Sequence, residues 1–393
     1  MGTRAAWLRL SLVWVAGANL RVTMLSVPPL LPEIHRSLNL DERAVGALNG
    51  VPLLLLAVAS IPGALLIARL GARRAMVLGL GVVAVAGALR SAAPAAPALL
   101  GATVVMGAGI AVCQPALPAL VRHWLPDRTG LATATFSNGL LIGEIAGASL
   151  TAPLLLTLVS GWRPALAAWS IPVAVGAAAI LLLTGPEPRH DRSLPAAPRP
   201  RWRGGGILLL GGVLGCSSVG YFAANAFLPD YLRAQHESSL IPLALTAINT
   251  AQLPASIAVA ARPSFLVGRR APLVVAGALM AGAALGLALA GHGWIVLAWS
   301  ALIGFSAAGV FVLILALPAA LPTPRDAAQV SAAIFTVSYA CAFAGPIIAG
   351  ALWDISHVPA AAFVPVAAAG VVIALGSLGI EIRALRPPGP AAS

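Results

Sequence analysis

Two charged side chains lie deep inside long apolar stretches of the sequence, Arg21 and Glu144. If each stretch is a helix that enters a membrane at its first residue, Arg21 lies ~18 Å and Glu144 ~21 Å inside. A charge there costs at least ~2.5–3.5 kcal/mol, so it normally faces a partner or a cavity. Arg21 therefore either pairs with Glu144 or offers its planar guanidinium to a small planar anion or nitro group. Both roles are compatible if the substrate and the carboxylate compete for the same arginine.

Glu144 stands among three glycines at a spacing of four residues, Gly139, Gly143 and Gly147. Small residues at this spacing let another helix approach closely. Two roles are open for Glu144: a carboxylate that binds and releases a coupling proton, or the counter-ion of Arg21. The other charges, Arg90 among them, fall at or near the ends of the apolar stretches, where we expect them to reach outward to water.

Neutral polar and aromatic side chains inside the apolar stretches complete the set of candidate substrate contacts. Tyr221 and Asn225 are four residues apart and share one helix face. Tyr339 forms a stripe with Phe335 and Phe343, for which helix packing and substrate binding both remain open. We expect no catalytic and no metal-binding residue. The expected substrate-binding residues are Arg21, Asn19, Gln114, Tyr221, Asn225 and Tyr339.

The elements that must position these residues are membrane-spanning helices. Only 9% of the residues are charged and 59% are hydrophobic, whereas a soluble domain carries roughly 25% charged residues. A spanning helix needs ~20 mostly apolar residues, and the polar and turn-rich breaks separate about twelve such stretches. We expect spans at 9–31, 44–68, 75–93, 97–120, 130–155, 164–184, 206–232, 240–262, 272–291, 294–320, 328–351 and 360–380.

An internal repeat with a constant offset of 197 residues divides the chain into two halves. The offset relates Pro32 to Pro229, Gly71 to Gly268, Gly107 to Gly304 and Arg128 to Arg325. Because each half has an even number of helices, both enter the membrane from the same side and the repeats are parallel. We predict an all-α membrane protein of twelve transmembrane helices in two parallel six-helix repeats. The N-terminal bundle covers 1–184, a cytoplasmic linker 185–205 and the C-terminal bundle 206–393.

The arginines fall mainly on one side of these spans. With both termini in the cytoplasm, 18 of the 24 basic residues lie on the cytoplasmic side, five lie outside and Arg21 lies within a helix. Basic residues favour the cytoplasmic face. The bias predicts a multi-pass protein of a bacterial cytoplasmic (inner) membrane with both termini inside. The net charge of +12 is mostly this inner-face charge, so a nucleic-acid partner is not expected.

The segment 64–74 resembles the signature loop between helices 2 and 3 of the major facilitator superfamily. The resemblance implies a tight turn at glycine and basic residues that hold a cytoplasmic gate, repeated in the second half. The acidic position of the signature is Ala68 here and Phe265 in the second copy, so a gate salt bridge through a carboxylate is not expected. The gate residues implied are Arg69, Gly71, Arg73, Arg74, Gly268, Arg269 and Arg270.

A closer resemblance is carried by Asn19-Leu20-Arg21, by 26–34, by Gly87-Ala88-Leu89-Arg90 and by 107–110 with Gln114 and Pro118. These segments are similar to the cyanate / 2-nitroimidazole transporter branch of the superfamily. The resemblance implies a secondary active transporter that moves a small anion or small polar solute by alternating access, with proton coupling left open. The alternative is a drug or metabolite efflux transporter with a mainly apolar cavity. The expected partners are a small, anionic substrate and the lipid bilayer, and we expect a monomer.

Enzyme chemistry is not indicated by the predicted spans. They contain no grouping of Ser, His and Asp and no cluster of metal ligands. The run Gly204-Gly205-Gly206 lacks the Lys-Ser/Thr that follows in a phosphate-binding loop. The three cysteines, at positions 113, 216 and 341, are far apart and predict neither a disulfide nor a zinc site. We therefore expect no enzyme activity, no cofactor and no pumping driven by ATP on this chain.

Overall fold

The computed structural model describes residues 3–58, 63, 66–67, 69–185, 205–317 and 324–379. Within these ranges the chain forms helices joined by turns and short loops. Eleven helical segments of the described chain are long and apolar enough to cross a membrane, against about twelve expected. The twelfth predicted span, 44–68, falls partly outside the described residues, and its described part is largely helical. The prediction of an all-α membrane protein is confirmed.

The chain divides into two compact units. Unit 1 comprises Met1–Leu40 and Ala47–Ala197, and unit 2 comprises Asp41–Gly46 and Pro198–Ser393. The predicted linker, 185–205, lies almost entirely outside the described residues, so the exact domain boundaries stay a prediction.

The helices before the predicted linker are apolar on nearly every side. In α4, for example, Val83 and Ala86 are fully buried, whereas Val85 is 63% exposed, as suits a helix between protein and lipid. In unit 1, α1 packs against α6 and α7, and α4 packs against α5 and α7. These helices are α1 (Thr3–Leu25), α2 (Leu31–Leu38), α3 (Glu42–Val58), α4 (Ala72–Ser91), α5 (Ala96–Trp124), α6 (Thr129–Leu150) and α7 (Trp162–Leu183).

The first span is broken, which corrects the single stretch expected over 9–31. Helix α1 ends at Leu25, a 3-10 turn covers Pro28–Leu30 and α2 begins at Leu31. The two prolines have no N–H to donate to the carbonyls one turn earlier. Because the Val27 amide donates to the Met24 carbonyl at 3.4 Å, the Thr23 carbonyl loses the amide that a continuous helix would give it.

Unit 2 contains the helices after the predicted linker. Helix α8 continues unbroken for 30 residues with Pro229 inside it, in contrast to the broken first span. It packs against α13 and α14, and α11 packs against α12 and α14. The helices are α8 (Gly205–Ala234), α9 (Ile241–Thr250), α10 (Gln252–Ala261), α11 (Arg270–Ala290), α12 (Ile295–Ala316), α13 (Pro324–Ser356) and α14 (Val364–Leu378).

Candidate functional site

Arg21 of α1 and Glu144 of α6 form an ion pair inside unit 1. The distance between Nε of Arg21 and Oε1 of Glu144 is 3.4 Å, and the two side chains are 13% and 9% exposed. The similar depth expected from the sequence thus corresponds to a direct contact. In a buried pair, desolvation offsets much of the Coulomb attraction. An anionic ligand is therefore able to replace the carboxylate, and a cationic ligand is able to replace the guanidinium.

Close packing of α1 on α6 brings the two charges together. A Cβ added at Gly139 would collide with the backbone of Trp14, and one added at Gly143 would collide with the backbone of Ala18. Gly147 lies in the same way against the backbone of Val22. The glycine stripe predicted around Glu144 therefore borders α1 along its length, which leaves the arginine and the carboxylate within reach of each other.

A π-helical segment, Thr151–Leu156, follows α6 two turns after Glu144. The Thr151 hydroxyl donates to the Gly147 carbonyl at 2.5 Å and accepts a bond of 2.8 Å from Nε1 of Trp169 on α7. Helices with π-bulges often carry functional sites, because the irregular turn shifts the residues beside it. The segment fixes the C-terminal end of the helix that carries the carboxylate.

Two other expected substrate contacts of unit 1 differ in how their amides are used. Asn19 is 4% exposed, and its Nδ2 donates to the Pro172 carbonyl of α7 at 3.0 Å. Gln114 of α5 is partly exposed, and its buried Oε1 has no hydrogen-bond partner within the described part of the chain. Asn19 therefore holds two helices together, whereas Gln114 retains an acceptor for a ligand.

Tyr221 and Asn225 of unit 2 belong to a buried network centred on Asn249 of α9. The Tyr221 hydroxyl donates to Oδ1 of Asn249 at 2.5 Å, and Nδ2 of Asn249 donates to Oδ1 of Asn225 at 3.0 Å. Nδ2 of Asn225 in turn donates to the Tyr221 carbonyl. The structure confirms that the two residues share a face, and it shows that both are bonded to a third side chain.

Tyr339 of α13 is partly exposed. Its ring stacks on Phe335 with 5.8 Å between the ring centres, and Phe335 also contacts Phe311 of α12. The residue before Tyr339, Ser338, lies on another face of the helix, where its hydroxyl is 2.9 Å from the hydroxyl of Ser218 on α8. The aromatic stripe thus has a packing role at Phe335, and Tyr339 stacks on it while remaining partly exposed.

The expected gate residues differ in how far they are buried. Gly71 and Gly268 have φ angles of +85° and +75°, which glycine adopts readily. Arg73 is buried, donating from Nε to the Thr184 hydroxyl at 2.7 Å and from Nη2 to the Leu181 carbonyl at 2.6 Å. It therefore ties α4 to the end of α7, a role that the sequence did not predict. The side chains of Arg69, Arg74, Arg269 and Arg270 are exposed, and the gating role of all these residues stays a prediction.

Arg90 does not reach outward, contrary to the expectation for a charge at a span end. It is 2% exposed, and its Nη1 donates to the Thr23 carbonyl at 3.2 Å. The sequence contained a signal for this: Arg90 falls at helical spacing on the same face of α4 as Gly79, Val83 and Ala86, all of which are buried. An arginine on that face points into the protein.

These helices, with a buried ion pair inside spans of membrane length, are those of a multi-pass membrane transporter. The sequence model of the family named Major Facilitator Superfamily matches residues 13–346 of this chain. The chain belongs to that superfamily.

Three relatives agree with this placement. The uncharacterized transporter YycB of Bacillus subtilis (strain 168) is 26% identical over 361 residues, which cover 89% of this chain and 87% of that protein. The cyanate transport protein CynX of Escherichia coli (strain K12) is 26% identical over 238 residues, 58% of this chain and 60% of that one. The 2-nitroimidazole transporter of the same organism is 30% identical over 154 residues, 39% of each chain. The resemblance to this branch is confirmed.

Solved structures agree on the fold. A mutant of the nucleoside transporter NupG has a TM-score of 0.75 at 13% identity, covering 96% of this chain and 100% of its own. A bacterial homologue of the human lysosomal transporter Spinster, inward-facing and unoccupied, has a TM-score of 0.72 at 16% identity, covering 98% and 95%. The major facilitator fold is confirmed. The family match and the relatives, which are named transporters, show that the chain is a transporter and not an enzyme.

Proposed function

We propose that this protein is a secondary active transporter that moves a small anion or small polar solute by alternating access. The observation that carries the proposal is the Arg21–Glu144 ion pair, with 3.4 Å between Nε and Oε1. A guanidinium binds planar anions through parallel hydrogen bonds. The names of two relatives, a cyanate transport protein and a 2-nitroimidazole transporter, support a substrate of this size and polarity.

The substrate anion and Glu144 compete for Arg21. While Glu144 is ionised, an incoming anion would add a second negative charge to a site with little solvent, which is unfavourable at low dielectric. Protonation of Glu144 removes that charge and leaves the guanidinium to the anion. One proton and one monovalent anion therefore bind together, and the occupied site has the same net charge as the empty one.

The remaining candidate residues have supporting roles. Oε1 of Gln114, which has no hydrogen-bond partner among the described residues, suits an N–H donor on a polar substrate, and the partly exposed Tyr339 suits a flat ring or nitro group. Asn19, two residues before Arg21, ties α1 to α7 through its bond to the Pro172 carbonyl. Tyr221 and Asn225, held by the network around Asn249, serve as the polar substrate contacts of unit 2.

The orientation and assembly belong to the same proposal. The arginine distribution supports a bacterial inner-membrane location with both termini in the cytoplasm. The loops at Gly71 and Gly268 keep their gating role in this proposal, and the chain works as a monomer.

Uptake into proteoliposomes tests the coupling. With radiolabelled cyanate and nitrite outside, wild type should accumulate anion when the outside is more acidic, and its apparent affinity should rise as the pH falls. Arg21→Ala should lower uptake about hundredfold, since it removes one partner of a buried charge pair. Glu144→Gln, which imitates the protonated carboxylate, should still exchange anion for anion but should not accumulate it from a pH gradient.

Glu33→Gln is the matched control, because it neutralises another carboxylate of unit 1, on α2, outside the pair. It should leave both exchange and accumulation within about twofold of wild type, as expected for a charge that is partly exposed to solvent. If Arg21→Ala transports anions like wild type, the anion site is elsewhere. Transport of bulky lipophilic drugs in place of both anions would favour the efflux alternative.

A further inference from the structure

Arg90 is a second buried cation of unit 1, at the last turn of α4. Only 2% of the residue is exposed. Its guanidinium is directed between α1 and α5, where Nη1 donates to the Thr23 carbonyl at 3.2 Å and to the sulfur of Met106 at 3.1 Å. A charge in this position is unfavourable unless something neutralises it.

No carboxylate neutralises Arg90 within the ranges that the structure describes. Two other arginines of unit 1 serve as a comparison: Arg21 faces Glu144, and Arg73 is bonded through Nε and Nη2. In Arg90 both bonds come from Nη1, and the buried Nε has no hydrogen-bond partner among the described residues.

The break after α1 explains why Nη1 of Arg90 has an acceptor, but it does not account for how the whole positive charge of Arg90 is neutralised. The Thr23 carbonyl lacks its helical amide and accepts from the Ser26 hydroxyl at 3.3 Å as well as from Arg90. The last turn of α1 has no basic residue of its own. Arg90 supplies the missing positive charge from another helix. A helix C-terminus carries only about half an elementary charge, so it neutralises the guanidinium in part.

The unused side of the guanidinium is the one that recognises planar anions. Nε and Nη2 form a parallel pair of donors that matches two oxygens of a carboxylate or a similar group. The sulfur of Met106 is a weak acceptor and contacts only the opposite side. An anion with two oxygens would complete both the hydrogen bonding and the charge balance of Arg90.

We propose that Arg90 is a second binding station for the small planar anion, distinct from the Arg21 station. Its Nη1 is anchored to the Thr23 carbonyl and its Nε–Nη2 edge binds the anion. This inference rests on the proposed anion transport. The two stations lie beside one helix, since Thr23 is two residues beyond Arg21 on α1, and the 3-10 turn at Pro28–Leu30 gives the chain beyond Thr23 a place to bend when the anion enters.

Anion binding to the purified full-length protein tests the second station, with sodium nitrite as the probe and its stabilisation of the protein against heat as the readout. Arg21→Gln should keep a nitrite-dependent rise in Tm, because the second station remains. Arg90→Gln should keep one as well, through Arg21. The double variant should lose it. If Arg21→Gln is folded but shows no nitrite-dependent rise in Tm, Arg90 binds no anion and the inference is wrong.

Arg90→Lys separates binding from a structural role. Lysine keeps the charge and a donor for the Thr23 carbonyl, but it lacks the parallel edge. In the Arg21→Gln background it should weaken nitrite binding about tenfold while the Tm without nitrite stays near that of its parent. Unchanged nitrite affinity in this variant would show that Arg90 only stabilises the helix end.

Arg163→Gln is the matched control, because Arg163 is another unit 1 arginine that donates to a backbone carbonyl, that of Ala93 at 2.8 Å. It should bind nitrite like wild type. The outcome is separate from the proposed function: if wild-type proteoliposomes transport no anion but the Arg21→Gln protein still binds nitrite through Arg90, the station stands and the transport proposal fails.

Discussion

The contact of α1 with α6 in unit 1 and the contact of α8 with α13 in unit 2 occupy equivalent places in the two repeats, yet their chemistry differs. At the offset of 197 residues, Arg21 corresponds to Ser218 and Glu144 to Cys341. Unit 1 holds an ion pair here, whereas in unit 2 Ser218 meets the hydroxyl of Ser338 at 2.9 Å. Because neutral side chains suffice at the equivalent contact, the charges of unit 1 are not required by helix packing.

A second difference lies at the end of the first helix of each repeat. Helix α1 breaks at Leu25, and Arg90 donates to its Thr23 carbonyl. Helix α8 continues to Ala234, and the position equivalent to Arg90 is Leu287, which is fully buried. Arg21 and Arg90 therefore stand where unit 2 has neutral residues, whereas the buried Arg73 corresponds to another arginine, Arg270. Under the proposed function, this asymmetry assigns anion binding to unit 1.

The largest effect is expected when the pair of unit 1 is replaced by its unit 2 counterparts. Arg21→Ser with Glu144→Cys should lower anion uptake by about hundredfold or more, because the cation of the Arg21 station is removed. The double variant should still fold with a Tm near wild type. Each single substitution should be less stable by about 3–5 kcal/mol, since it leaves an unpaired buried charge.

Thermal unfolding followed by tryptophan fluorescence, together with uptake of labelled cyanate, measures both effects. If the double variant were as unstable as each single variant, the charges would be needed for stability. The conclusion that helix packing does not require them would then be wrong. The comparison between the units would also fail if the double variant transported cyanate normally.

An intermediate effect is expected at the glycine stripe. Gly143→Ala places a Cβ against the backbone of Ala18, which should lower the unfolding free energy by about 1–3 kcal/mol as overpacking does. The shift of α6 should also disturb the ion pair and weaken anion uptake. Thermal unfolding and uptake are measured together.

Gly81→Ala is the control for this substitution. Gly81 lies in α4 and has no atom within 4 Å of an added Cβ, so alanine there should be neutral or stabilise the helix slightly. If both alanines behave alike, close approach at Gly143 does not determine the position of Glu144.

The sequence predicted the ion pair of the site, because charged side chains are unfavourable within a membrane and are therefore easy to recognise in an apolar stretch. Arg21 and Glu144 are conspicuous inside apolar stretches, and equal depth with a glycine stripe beside Glu144 was enough to predict their pairing as one of two roles. The direction of Arg90 was predicted wrongly because a charge at a helix end is able to reach either water or the interior. That choice depends on the Thr23 carbonyl, which is available only because Pro28 and Pro29 break α1.

The polar network of unit 2 shows the same limit. Helical spacing placed Tyr221 and Asn225 on one face, as the structure confirms. Their bonds to Asn249, on a helix 24 residues further along the chain from Asn225, depend on tertiary packing that spacing within one helix does not reveal. The local pattern therefore predicted which residues face inward, but not which of them are already bonded.

The smallest effect is expected at the neutral contact of unit 2. Ser338→Ala removes the hydroxyl that meets Ser218, while Ser218 keeps its bond to the Leu214 carbonyl at 3.1 Å. Hydrogen bonds between membrane helices contribute about 0.6 kcal/mol on average, so the Tm should fall only slightly. Anion uptake and its pH dependence should remain those of wild type, because Ser338 binds no charge in the proposed cycle.

Ser338→Ala and Glu144→Ala are measured together, so that the stability and uptake lost at the two equivalent contacts are compared directly. Glu144→Ala leaves Arg21 without its carboxylate and should be the more destabilised of the two by several kcal/mol. A loss of pH-driven uptake in Ser338→Ala equal to that in Glu144→Ala would place the coupling in both units. If the two repeats differ as described, Ser338→Ala should lose only a little stability and should keep its pH-driven uptake.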